Sequence, residues 1–503
     1  MKNDPDKLFY QLLDRLRAIS SFGYSGDISQ WDQLTKMPKG ETEGRAEITA
    51  TIRTEWHKRF VSPRIGKPLE RLIDMEEELP RNHWFIVKRL HAIHQRAKAI
   101  PPPFYRKFIK FTSQAYEVWV RARKESDFKS FQFHLEEIVK FMSHFADLFG
   151  YEKNPYDALL PDHEPGMVTD RLIQIFSALE TKLVPFVRKL TEQSDKPDET
   201  LLKGHFPEEL QRKLCTQALQ AIGYDFGRGR LDTTVHPFTT SVGPNDVRVT
   251  THFKHWNLSP SLFSTLHEGG HAIFEQNQDP TLRWIYLDTG FSHGLHESQS
   301  RFFENIIGRS LPFWKLFYWQ LQNIFPYYKE IPLEEFYRAI NAVKTSLIRI
   351  YADEVTYNLH IIVRFEIEEA LLNNRIDVSD LPQVWNEKMD QYLNLVPPND
   401  ALGVLQDVHW SGGSFAYFPS YSLGNLYGGQ IREELMRQMP RVEDELAKGN
   451  VAIILEWLRK NIHRFGKIRE APELLEAITG ERPTPEPWLR YIKSKFSRIY
   501  DLN

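Results

Sequence analysis

In LFYQLLDRLRAI (8–19), Leu8, Leu12, Leu16 and Ile19 fall on one stripe at helical spacing. The same 3.6-residue recurrence returns near 80–100, 104–124, 128–150, 168–192, 208–222, 260–276, 295–308, 333–373 and 432–465. Each such stripe must be covered by another element, so the chain is expected to fold by packing helix on helix. Between the runs lie helix stops: IPPPF (100–104), GYEKNP (150–155), PDHEPG (161–166), SDKPDE (194–199), VPPND (396–400) and RPTPEP (482–487). No internal repeat or low-complexity linker separates them, which predicts one large helical assembly over 1–503. A single segment departs from the pattern. TTVHPFTTSVGPNDVRVTTHF (233–253) alternates around a GPND turn and reads as a β-hairpin. Pro237 has no N–H to donate, so its strand belongs at an edge.

Charge and cysteine content narrow the function. The net charge is −3 with both signs dispersed, and the pI is near 6.7, which excludes the basic face of a nucleic-acid binder. The first twenty residues are charged and amphipathic, without the apolar core of a secretory signal. No apolar stretch approaches the roughly 20 residues of a membrane span. The lone cysteine, Cys215, forms no internal disulfide and is expected to pack as a small hydrophobe. These features predict a cytoplasmic protein with neither membrane nor nucleic-acid partners.

Chemistry concentrates in STLHEGGHAIFEQ (264–276), just after the hairpin. Ser259–Pro260 predicts the helix start. On that helix His267 and His271 are neighbours one turn apart, with Cβ atoms ~5–6 Å from each other. Both imidazoles can therefore reach one Zn²⁺, at roughly 2.0–2.1 Å. Glu268, rotated by ~100°, stands beside the ion and can take a proton from water. Two polar residues on an exposed face are the bland alternative, but the flanks are apolar. Gly269 and Gly270 each cost about 1 kcal/mol against alanine inside a helix, which points to close approach by another backbone or a substrate. A catalytic zinc takes a third protein ligand and keeps one position open. An extended three-histidine pattern is absent, since position 277 is Asn277. The candidates are Glu297 and Glu304, one heptad apart, with His296 as a further possibility; Glu297 is modestly favoured by its place near the helix start, although it could simply pair with Arg301.

Three other stretches suit peptide hydrolysis. TSLIRIYADEVTYNLH (345–360) reads as a helix with a polar stripe of Ser346, Arg349, Asp353, Thr356 and His360. There Arg349 and Asp353 would pair at i,i+4 and hold a guanidinium ready for a carboxylate; a purely structural ion pair is the alternative. QDVHWSGGSFAYFPSYSLG (406–424) offers His409, Tyr417 and Tyr421 as donors to a developing oxyanion, or simply a packed loop. The hairpin edge could pair with an extended peptide, with His236 facing it.

Together HPF (236–238), DVRVT (246–250), HEGGH (267–271), HESQ (296–299), IRIYAD (348–353) and GVLQDVHW (403–410) resemble the M32 family of metallocarboxypeptidases, the carboxypeptidase Taq type. WDQLTKMP (31–38) is similar to that family's N-terminal segment, so the likeness spans nearly the whole chain. The resemblance implies a mainly helical fold with a small hairpin beside a deep cleft, like neurolysin and angiotensin-converting enzyme. It implies one catalytic domain of two lobes over 1–503, a lid-like segment over 1–80, the hairpin and zinc helices over 233–310, and a homodimer. His267, His271 and Glu297 become the zinc ligands, Glu268 the general base, and Arg349 the receiver of the substrate carboxylate with His236 nearby. HWSGG followed by Tyr421 is similar to the thimet oligopeptidase arrangement and makes His409 and Tyr421 transition-state donors. The expected activity is removal of single C-terminal residues, with broad specificity, from peptides bearing a free C-terminus. One Zn²⁺ per chain is expected, with cobalt or manganese as possible substitutes. The alternatives are an oligopeptidase or endopeptidase on the same fold, or a non-catalytic helical peptide-binding scaffold.

Overall fold

A computed structural model describes residues 4–243, 245–285, 287 and 292–502. The described residues are mainly helical, and the apolar stripes cover one another as their spacing requires. Two hydrophobic clusters result. The smaller joins Phe9, Leu12, Leu16, Leu69, Val87 and Leu90 from the first hundred residues to Leu282, Ile285 and Ile468. The larger runs from Ala115 to Tyr500 and holds the helices around the histidine motif. Cys215 is fully buried, its Sγ 3.6 Å from the Ser261 carbonyl oxygen. No helix among the described residues is long and apolar enough to cross a membrane.

The expected hairpin is present but shorter, and it has a third strand. β2 (Thr239–Gly243) pairs antiparallel with β3 (Asp246–Thr251), and β1 (Leu231–Thr233) pairs parallel on the other side of β3, giving the order β1-β3-β2. β2 is therefore an edge, with Pro237 just before it; of the GPND turn, Pro244 lies outside the described residues. Nothing in the sequence marks the parallel partner, because three residues carry no periodicity. Val235 and His236, expected in a strand, are exposed in the loop between β1 and β2.

Two long helical runs are broken. The run 333–373 ends at Ala339 and resumes only at Tyr357–Leu372, with a 3₁₀ turn at Arg349–Tyr351 between. Asp353 explains the break: its carboxylate accepts from the backbone N–H of Lys344, Val355 and Thr356, holding the chain in turns. Such side-chain-to-backbone bonds compete with helix formation. The run 432–465 divides into the end of Pro419–Gln438, then Val442–Ala447 and Ala452–Asn461. Pro440 separates the first two, and Gly449 with φ +89° separates the last two.

Candidate metal centre and substrate-binding pole

The histidine helix spans Ser259–Gln276. Its start differs slightly from expectation: Ser259 is already helical, and Asn257 Oδ1 receives its N–H at 3.0 Å. The glycines answer to packing. A Cβ on Gly270 would lie 2.5 Å from the Gln299 carbonyl oxygen and 2.7 Å from Ser300 Cα, and one on Gly269 would lie 2.6 Å from Leu219 Cδ2. Glycine at 270 thus brings the histidine helix backbone-to-backbone onto the helix His293–Arg301, which carries Glu297.

That approach assembles the ligand set. The Nε2 atoms of His267 and His271 each lie 3.6 Å from Glu297 Oε2. One nitrogen from each ring and one carboxylate oxygen lie within 4.8 Å of one another, so the three can close on a single divalent ion. Glu304, on the π-helical turn Phe302–Ile307, takes a different place: its Oε2 is 2.8 Å from His267 Nδ1. A carboxylate there holds the proton on Nδ1 and leaves Nε2 free to coordinate. His296 is not drawn into the triad. Its ring stacks on His271 at 4.2 Å, and its Nε2 meets Glu275 Oε1 at 3.1 Å. Arg301 completes the pole, donating from Nε to Glu297 Oε1 at 2.7 Å. The pairing foreseen as an alternative to ligation is present, and it leaves Oε2 facing the two histidines.

Burial and charge set the protonation states. Burial alone would raise Glu297, but Arg301 and His267 hold it well below the usual carboxylate range. Burial likewise opposes ionisation of Glu304, yet Arg301 and His267 pull it down to about 2. Burial and the adjacent His296 lower His271 to about 3, leaving a neutral ring with a lone pair to give. For Glu268 burial wins and raises the carboxyl, the direction that suits a general base. Thr239 Oγ1, at the start of β2, lies 2.8 Å from Glu268 Oε2 and fixes its orientation.

The second pole is built from irregular backbone. Arg349 does not pair with Asp353, as a continuous helix would have required. Its Nε and Nη2 donate to Asp407 Oδ1 at 3.2 and 2.9 Å, and its Nη1 donates to Tyr357 Oη at 2.8 Å. His360, expected on the same polar stripe, is fully buried. His409 lies in a 3₁₀ turn, His409–Gly412, with its ring centroid 4.5 Å from Phe418 and 6.4 Å from Tyr421. Burial lowers it to about 4, so it is neutral near pH 7. Tyr421 lies under Arg349, whose Cζ is 4.9 Å from the ring centroid. Tyr357 links the poles, since Arg301 Cζ stands 4.3 Å over its ring while its hydroxyl receives Arg349. His236 lies exposed in the loop between β1 and β2. Sequence reasoning missed Asp407, Tyr357 and Arg364; an acid set among Leu405, Val408 and Trp410 was the available signal for the first.

The family model for carboxypeptidase Taq (M32) metallopeptidase matches residues 11–496. The chain belongs to this family. It is similar to carboxypeptidase 1 of Bacillus subtilis, 39% identical over 97% of this chain and 98% of that one. To thermostable carboxypeptidase 1 of Thermus thermophilus it is 37% identical, over 99% of both. Among solved structures, the M32 carboxypeptidase from Deinococcus radiodurans superposes with a TM-score of 0.95 at 34% identity, covering 99% of this chain and 100% of that one. The chain is accordingly a metallocarboxypeptidase, a mainly helical peptide hydrolase that uses a metal ion.

Proposed function

We propose that this chain is a zinc enzyme that removes single residues from the free C-terminus of peptides with broad specificity. His267, His271 and Glu297 would hold the ion. The convergence of these three side chains, with Glu304 behind His267, carries the reading. The donor set of two nitrogens and one carboxylate suits zinc, although cobalt or manganese fits the same ligands. When bound, the ion supplies Lewis acidity to the scissile carbonyl and lowers the pKa of its water.

Glu268 accepts the water's proton on its carboxylate and returns it to the leaving amine. His409 and Tyr421 donate to the developing oxyanion. Arg349 receives the terminal carboxylate. Its remaining N–H groups point from a guanidinium already clamped by Asp407 and Tyr357, so little freedom is lost on binding. β2, as a sheet edge beside Glu268, offers backbone groups to an extended peptide, and His236, in the exposed loop leading into β2, is assigned to the substrate side. The separate apolar cluster of the first hundred residues supports a lid-like segment over 1–80, one catalytic unit over 1–503 and the site segment 233–310. A single buried thiol suits the cytoplasm. A homodimer completes the proposal, and sedimentation velocity reads it directly.

Peptide digestion followed by mass spectrometry tests the activity. Stepwise loss from the C-terminus is expected, stopped by chelator and by C-terminal amidation. Internal cleavage of an amidated peptide would instead mark an oligopeptidase and remove Arg349 from its role. Metal bound without turnover would leave a peptide-binding scaffold.

A further inference from the structure

Two buried arginines share one carboxylate. Asp407 gives Oδ1 to Arg349, and its Oδ2 receives Arg364 Nε at 2.7 Å. Arg364 is fully buried and has no approach to a ligand. Its Nη1 donates to the His360 carbonyl at 2.6 Å, its Nη2 donates to Gln406 Oε1 at 2.8 Å, and its Cζ stands 4.6 Å over the Trp385 ring. Arg349 differs. Of the five N–H groups of a guanidinium, three are used, on Nε, Nη1 and Nη2, leaving two, one on each terminal nitrogen, among the described residues. That pair is the fork that matches a carboxylate.

Two guanidinium charges against one carboxylate leave a positive charge unbalanced. Among the described residues, no other carboxylate is ion-paired with either guanidinium. His360 and His409 are lowered by burial and stay neutral. Glu368, one turn beyond Arg364, is held by neutral donors, namely Trp410 Nε1, Tyr156 Oη and the Ala416 N–H, and burial raises it to about 7. A buried unpaired cation is costly, so the surplus marks a place where an anion is expected to arrive.

We propose that Arg364 is a positioning residue for C-terminal selection: by occupying Oδ2 of Asp407, it prevents that carboxylate from neutralising Arg349, so Arg349 is oriented by Asp407 and still attracts the substrate's terminal carboxylate. This rests on the reading of Arg349 as the carboxylate receiver. With Arg364 removed, Arg349 and Asp407 form a closed one-to-one pair and the attraction falls.

Steady-state kinetics of the metal-loaded enzyme on an N-blocked dipeptide and on its amide provide the test. Arg364→Gln is expected to raise KM by about tenfold or more with a smaller change in kcat. Adding Asp407→Asn to it is expected to bring KM back to within about threefold of the native value, because the Arg349 charge is unmasked again. A double variant no better than the single would overturn the proposal and leave Arg364 as packing. If the glutamine variant does not fold, Arg364→Lys carries the test: it retains charge but loses the fork, so a KM within about threefold of native is expected, and a tenfold rise overturns the idea. The two readings separate through Arg349→Gln. Unchanged KM and unchanged discrimination against the amide in that variant would sink the carboxylate role of Arg349 itself.

Discussion

At one end of the site, His267, His271 and Glu297 stand on two helices whose backbones meet at Gly270; at the other, Arg349 and His409 stand in short 3₁₀ turns joined through Asp407. The first pole takes its precision from helix geometry, where residues four apart share a face. Its outer support is Glu304 behind His267 and Arg301 on Glu297. The second takes its precision from ion pairs and hydrogen bonds between residues 58 apart in sequence. A metal tolerates little error in ligand placement, which regular backbone supplies. A carboxylate receiver needs a charged fork at one depth, which side-chain clamps can set on irregular backbone.

The comparison can be broken most directly at Glu268. Glu268→Gln is expected to lower kcat by about 10²–10⁴ while elemental analysis shows metal content unchanged; loss of the ion in that variant would make Glu268 a ligand and redraw the first pole. Next, Glu304→Gln should weaken metal affinity about 10–100-fold in chelator competition, whereas Asp407→Ala should leave that affinity alone. Equal effects from the two would mean that the poles are not separately built. A smaller contrast lies in the glycines. Gly270→Ala is expected to cost about 1–3 kcal/mol in thermal or urea unfolding through overpacking. Gly412, in the His409 turn, has nothing within 4 Å of an added Cβ, so Gly412→Ala should stay within about 0.5 kcal/mol of native.

A further contrast concerns pH. Glu164 caps the start of the Glu297 helix through Ser292 and Gly294, and Glu368 braces the turn that carries His409; burial raises each from 4.5 to about 7. A folded pKa above the unfolded value favours the protonated folded form. The contribution is therefore complete below about pH 4.5 and is lost as pH rises through 7. Replacing either by Gln should flatten that decline, so the melting temperature of each variant relative to native is expected to climb between pH 5 and 8. A flat difference would show that the carboxyl is already ionised when folded.

Much of this was open to reading from residue order. The helical stripes, the hairpin before the motif, the His-Glu-Gly-Gly-His face and the short menu of third ligands are all consequences of local periodicity. The separation of Glu297 from Glu304 was not, because both lie on one face of one continuous helical segment and only the position of the histidine helix along it decides which one meets both Nε2 atoms. The break between Ala339 and Tyr357 was hidden for another reason: apolar spacing there still mimics a helix, while Asp353 caps the backbone into turns. Arg349 pairs with Asp407 and not with Asp353, since i,i+4 logic cannot see a partner 58 residues away.

By itself, then, the order of amino acids determined a helical protein with an imidazole pair and a neighbouring base, because those features depend on side chains within one or two turns of each other. Tertiary structure decided which acid closes the triad, which acid supports it, and how two arginines divide one carboxylate. Those choices turn on ångström-scale distances between segments that meet only when their apolar faces are buried together.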